Sequence, residues 1–159
     1  FCEYCTTKNI SFTNISDFPS NIRHYIAEQS KRYLENDSIF IFFKTLKSLC
    51  GENKLHTINT SKITNDTPKT DILYSDDYVW IESVNVFAKI KLACQNEGIL
   101  FDLSRQELYQ KLESEKLLIT KDNRRSYEYR KGQFRQSVIC LPRNNINRYF
   151  ADDKEDIKL

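Results

Sequence analysis

Methionine is absent from this sequence, and glycine, proline and histidine are scarce: three, three and two in 159 residues. Three scattered glycines cannot build the phosphate-cradling loop of a nucleotide site. His24 and His56 stand alone, with no neighbour that suggests a catalytic triad or a histidine-rich metal motif. No apolar run approaches the ~20 residues that a membrane-spanning helix needs, so no membrane association is expected. The opening FCEYCTTKN lacks the basic-then-apolar order of a signal peptide. The chain starts on Phe, so it is expected to be a domain excised from a longer protein. Any catalytic machinery would then lie elsewhere in that protein. The paired carboxylates Asp152-Asp153 and Glu155-Asp156 fall in a charged C-terminal tail, where solvation is their natural state. The expectation is a non-enzymatic fragment without a cofactor.

Five cysteines, at 2, 5, 50, 94 and 140, are an odd number. The last three sit in apolar contexts, where a free thiol behaves as a small hydrophobe. A secreted disulfide framework is therefore not expected, and the cytoplasm is the default compartment. Cys2 and Cys5 make one C-x-x-C pair, half of a structural zinc site, but no second pair follows. The five glycosylation-like sites, at Asn9, Asn14, Asn36, Asn59 and Asn65, are read as chance in a chain rich in Asn, Ser and Thr.

Hydrophobic residues at 40% and charged residues at 29% describe an ordinary globular chain, large enough for one domain with an appendage. Net charge is only +2, but it is unevenly placed. Between Lys116 and Arg148 nine basic residues face two acidic ones, giving +7; the remainder carries 2 − 7 = −5. A basic segment this concentrated points to a polyanionic partner.

In order, residues 1–20 read as an irregular arm, 21–150 as the folded domain, and 151–159 as a charged tail. Ser20 caps an expected helix over 21–35. Asn36-Asp37-Ser38 leads into a second, Ile39 to Cys50, with Phe42, Phe43, Leu46 and Leu49 facing inward and Gly51 just past its end. Residues 52–77 are irregular, with a short strand near 55–58 and a loop around Pro68. Tyr78 to Ile81 is β-branched and aromatic, hence a strand. Asp76-Asp77 before it are read as turn residues. Ser83 is expected to cap a third helix, Val84 to Glu97, which Gly98 ends.

Ser104 and Glu107 form a capping box for a fourth helix, in which Leu108 and Leu112 face inward. Then Tyr127, Tyr129 and Phe134 interleave with Arg124, Arg125, Arg130, Lys131 and Arg135. Gly132 sits where a hairpin turns, and the apolar run Val138 to Leu141 is a buried returning strand. Tyr127 and Tyr129 share a strand face, so at least one packs inward. From Ile39 the order is helix, strand, helix, turn, helix, strand, wing, strand. This is an α+β winged helix-turn-helix, with an extra N-terminal helix and an inserted loop or hairpin at 51–77.

The run ESVNVFAKIKLACQNEGILFDLSRQELYQKLESEKLL, then a basic segment and SVICLP, resembles the C-terminal domain of helicase and primase-helicase proteins of phages and integrative mobile elements. Gly98, Ile99, Phe101, Leu103, Ser104, Leu108, Leu112, Glu115, Leu117 and Leu118 carry the likeness. It spans about residues 38–142 and rests on core and cap positions. It implies a DNA-replication accessory module attached to an ATPase, and transfers no functional residue.

The expected function is therefore nucleic-acid binding, to duplex or single-stranded DNA, through the wing. The residues expected to make contact are Arg105, Gln106, Tyr109 and Gln110 on the helix, and Lys121, Arg124, Arg125, Arg130, Lys131 and Arg135 on the ribbon. Against it, the helix is slightly acidic through Glu107, Glu113 and Glu115. The alternatives are a solvated ribbon, or a docking domain that engages the ATPase region of its own chain or another replication protein. The aromatic run Phe40 to Phe43 is the further candidate surface for docking.

Overall fold

A computed structural model of the chain describes residues 37–149, together with 22, 24 and 25. The chain divides into two units, residues 1–37 and 38–159. In the first, Ile22, His24 and Tyr25 are helical. The rest of the helix expected at 21–35, the 1–20 arm with Cys2 and Cys5, and the 151–159 tail lie outside the described residues.

The second unit is α+β. Helix α1 (Ser38–Gly51) is followed by β1 (Thr57–Asn59), a 3-10 turn (Thr60–Lys62), β2 (Ile72–Tyr74) and β3 (Tyr78–Glu82). Helices α2 (Asn85–Asn96) and α3 (Arg105–Ser114) come next, then the hairpin β4 (Tyr127–Lys131) and β5 (Phe134–Pro142). A short α4 (Arg143–Ile146) and a 3-10 turn (Asn147–Tyr149) end the described chain. The five strands lie in the order β1-β2-β3-β5-β4, parallel between β1 and β2 and antiparallel elsewhere.

Strand alternation divides the sheet into two faces. Ile72, Val79, Ile81, Ile139 and Leu141 join one core with Phe42, Phe43 and Leu46 of α1, Ile90 of α2 and Leu108 and Leu112 of α3. This is the inner face. The apolar turn at the start of α1 is central to it: Ile39, Ile41, Phe42 and Phe43 are all buried. Phe43 also stacks on Tyr149, centroids 4.6 Å apart, which draws the last turn onto the core. The outer face carries a second, smaller cluster of Ile63, Leu73 and Phe134, flanked by Ile58, Trp80 and Tyr129.

Residues 52–77 are more ordered than their sequence suggests. They add two strands to the sheet beside β3, and β2 is an interior strand. Ile72-Leu73-Tyr74 is too short for a periodicity to reveal it. Asp71, just before β2, anchors the insertion. Its carboxylate accepts from the His56 backbone N–H at 2.8 Å and from Lys89 Nζ of α2 at 2.8 Å.

The helix ends correct two expectations. Ser83 does not cap α2; it is buried, its hydroxyl 2.9 Å from that of Ser137. The carboxylate of Glu82 instead accepts from the backbone N–H groups of Val84 and Asn85. Gly51 is the last residue of α1 rather than the position beyond it. The left-handed residue there is Asn53, at φ 55°. All three long helices end in the same Schellman closure. Lys54 N–H reaches Leu49 C=O, Ile99 N–H reaches Cys94 C=O, and Leu117 N–H reaches Leu112 C=O, each within 2.9 Å. The residue with positive φ is Asn53, Gly98 or Lys116. Only the middle one announces itself by composition.

Candidate nucleic-acid interface

The expected capping box on α3 is present: Ser104 accepts from Glu107 N–H, and the Glu107 carboxylate accepts from Ser104 N–H at 2.7 Å. Caps of this kind stabilise a helix by about 1 kcal/mol. With Leu108 and Leu112 buried, Arg105, Gln106 and Gln110 are left exposed. Tyr109 is not among them, which corrects its place in the expected contact set. It is 6% exposed and its hydroxyl donates to Ser83 C=O at 2.6 Å. Burial pushes its phenol pKa up. One turn of helix separates Tyr109 from Arg105, but the ring turns toward β3 because an apolar body with one satisfied hydroxyl belongs inside.

Each acid of α3 has a partner, but only Glu113 meets a cation. Glu107 serves the cap, and its bond to Ser104 holds its carboxyl below the usual range. Glu113 pairs with Arg125 at 2.5 Å. Glu115 accepts from the Tyr149 hydroxyl at 3.2 Å.

The chain after α3 makes two tight reversals. Lys121 and Arg124 bridge each other around Asp122 and Asn123, whose φ values of 50° and 58° fit a type I′ turn. Gly132, at φ +59°, turns β4 into β5. The edge position of β4 leaves its outer backbone edge open. Arg130 and Arg135 are register partners, two like charges directly opposed across the ladder. Such pairs cost stability. Glu128 meets Arg130 at 2.5 Å and offsets part of the repulsion; Arg135 is exposed.

The ten residues singled out in sequence therefore separate. Arg130 and Arg135 lie on the helix side of the hairpin, as the register with Ser137, Ile139 and Leu141 requires. Lys131 lies on the outer side, where its Nζ donates to Thr60 C=O at 2.5 Å. Lys121 Nζ stands 5.6 Å from the centroid of the Tyr127 ring. Arg125 is committed to Glu113. The hairpin tip is also tied down: Gln133 N–H donates to Asn65 Oδ1 at 3.1 Å.

Tyr127 and Tyr129 do share a face, the outer one, and both are half-buried. There they meet Trp80, which sequence reasoning had read only as a strand residue. Trp80 Nε1 donates to the Tyr127 hydroxyl at 3.2 Å, and the Trp80 and Tyr129 rings lie 5.2 Å apart. Burial first, then its bond to Cys140, pushes the Tyr127 phenol up to about 12. The matching alternation of Tyr78/Trp80 and Tyr127/Tyr129 was the available signal.

Among the described residues, no three His, Cys, Asp or Glu side chains converge as a metal site requires. Nor is any helix among them long and apolar enough to cross a membrane. In comparisons with known proteins, no family model matches the chain and no curated protein matches it.

Proposed function

We propose that this unit is a winged helix-turn-helix that binds nucleic acid through its basic hairpin. In this reading it serves as an accessory module of a replication protein of the helicase or primase-helicase type. The topology supports the fold: α1, β3, α2, α3 and the β4–β5 hairpin follow the winged-helix order, and the sheet order β3-β5-β4 is the arrangement that plan requires. β1 and β2 then extend the sheet at its far edge.

One observation carries the binding reading. Six of the nine basic residues of the +7 segment (121, 124, 125, 130, 131 and 135) fall on a single edge hairpin and the turn before it, against Asp122 and Glu128, for a local 6 − 2 = +4; there Arg130 directly opposes Arg135. A fold pays for such opposed charges in stability, and a phosphate backbone would relieve them. The ion pair of Glu113 with Arg125 offsets one of the three carboxylates that weigh against α3 lying beside a polyanion.

The test is salt-dependent binding of duplex and single-stranded oligonucleotides, followed by anisotropy. For about four duplex phosphates contacted, log K falls with log salt at a slope near −3 to −4. Replacing Lys121, Arg124, Lys131 and Arg135 by Ala flattens that slope and weakens all sequences alike. Absence of binding to either form at low salt overturns the reading.

A docking domain within a replication complex is the second reading. It is favoured by Leu92 and Leu100, which are 58% and 77% exposed on α2 and the loop after it. Co-elution with the remainder of the replication protein would support it.

A further inference from the structure

The outer sheet face carries a small apolar cluster and a row of partly exposed rings. Ile63, from the insertion, packs with Leu73 and Phe134. Trp80 and Tyr129 flank that cluster and belong to a row of rings. Tyr78 and Trp80 have centroids 5.7 Å apart at 49°, and Trp80 and Tyr129 lie 5.2 Å apart at 61°. Tyr127 joins them through the Trp80 indole N–H. Tyr78 is 39% exposed, and the other three are half-buried. Rings that only close a core are hidden, as Phe42 and Phe43 are at 2% and 0%. Trp80 is half-buried, with its indole N–H bonded to Tyr127.

Cations border this row. Lys121 stands over Tyr127, Arg124 faces Lys121 across the turn, and Lys131 ends β4 on the same sheet face. Nearby acids are Asp122 within that turn, and Asp76 and Asp77 before Tyr78. At the β4 end the balance is positive.

We propose that Tyr78, Trp80, Tyr127 and Tyr129 form a stacking platform for the unpaired bases of a single-stranded nucleic acid, whose phosphates track along Lys121, Arg124 and Lys131. Every base has a π face, so such a platform is sequence-tolerant; a duplex keeps its bases stacked internally and cannot use it. The inference rests on the nucleic-acid reading above and narrows it to single strands on this face.

Trp80 is the only tryptophan of the chain, so its emission reports this face alone. The experiment titrates the 159-residue chain at low salt with an oligothymidylate of about 12 nucleotides, within the span of one aromatic-lined fold. A duplex of equal length is the control, and anisotropy of a labelled strand is read in parallel. Saturable quenching of Trp80 by the single strand but not by the duplex is expected. Tyr78→Ala and Tyr129→Leu, checked for unchanged melting, each weaken single-strand binding roughly 5- to 150-fold. Anisotropy that shows binding while Trp80 emission and both variants' affinities stay unchanged overturns the platform and leaves the nucleic-acid reading standing. So does binding of the duplex alone. No binding to either form overturns both.

Discussion

Gln136 and Thr70 close a hydrogen-bonded ring across 66 positions of sequence: Thr70 N–H donates to Gln136 Oε1 at 3.0 Å, and Gln136 Nε2 donates to Thr70 C=O at 2.5 Å. Both residues are buried, at 3% and 4% exposure. The amide of Gln136 thus acts like a short piece of backbone, binding the insertion to the hairpin strand that bears Arg135. It explains why a polar side chain sits between Phe134 and Val138 on the outer face.

Gln136→Leu conserves volume but strands both backbone groups of Thr70. An unsatisfied buried donor or acceptor costs about 1–3 kcal/mol, so a loss of roughly 2–5 kcal/mol is expected. Urea denaturation measures it through the midpoint. A shift worth less than about 1 kcal/mol would show that Thr70 finds other partners.

Gly98 and Lys116 occupy the same left-handed position after α2 and α3, at φ 67° and 58°. A Cβ on Gly98 would meet nothing within 4 Å, so only backbone strain opposes it. Gly98→Ala should destabilise by about 1 kcal/mol. Lys116→Gly, which relieves the same strain, should be neutral or stabilising by up to about 1 kcal/mol. Thermal melting of the two variants should move in opposite directions.

Gly132 is constrained twice. Its φ is +59°, and an added Cβ would lie 2.5 Å from Asn65 Oδ1. Gly132→Ala should therefore cost more than Gly98→Ala. Asn65→Ala removes the obstruction together with the acceptor for Gln133 N–H, so the double variant should cost less than the sum of the singles. Strict additivity would mean that Asn65 does not bear on the hairpin tip.

Alkali should loosen the fold. Burial, reinforced by the Asp71 charge, pushes the Cys50 thiol from 9.0 up to about 11, and burial lifts Cys140 as well. The Tyr127 phenol rises from 10.0 to about 12. Each group is held neutral in the folded chain above the pH at which it would ionise unfolded. The stability this contributes is complete below about pH 9 and is lost as pH climbs through 11 to 12. The urea midpoint should fall over that window. At pH 8 the thiols of Cys50 and Cys140 should resist a thiolate-specific reagent until denaturant is added.

The capping box of Ser104 and Glu107, the turns at Gly98 and Gly132, and the inward faces of α1 and α3 were all legible in the chain. Each depends on residues within a few positions of one another, where helical spacing and turn geometry decide the outcome. The basic hairpin was legible for the same reason, as an alternation of rings and cations around one glycine.

Other features required the folded chain. Tyr109 and Arg105 look equally available on paper, yet Tyr109 turns to Ser83, 26 positions away. β2 forms only because β1 and β3 flank it. Trp80 reaches Tyr127 over 47 positions, and Gln136 reaches Thr70 over 66. The sequence by itself determined the three long helices of this unit, β3, the β4–β5 hairpin and where the charge collects. Only the tertiary structure decided which side of the hairpin each cation faces and which rings stand together. Those pairings follow from sheet order and register, and no local spacing encodes them.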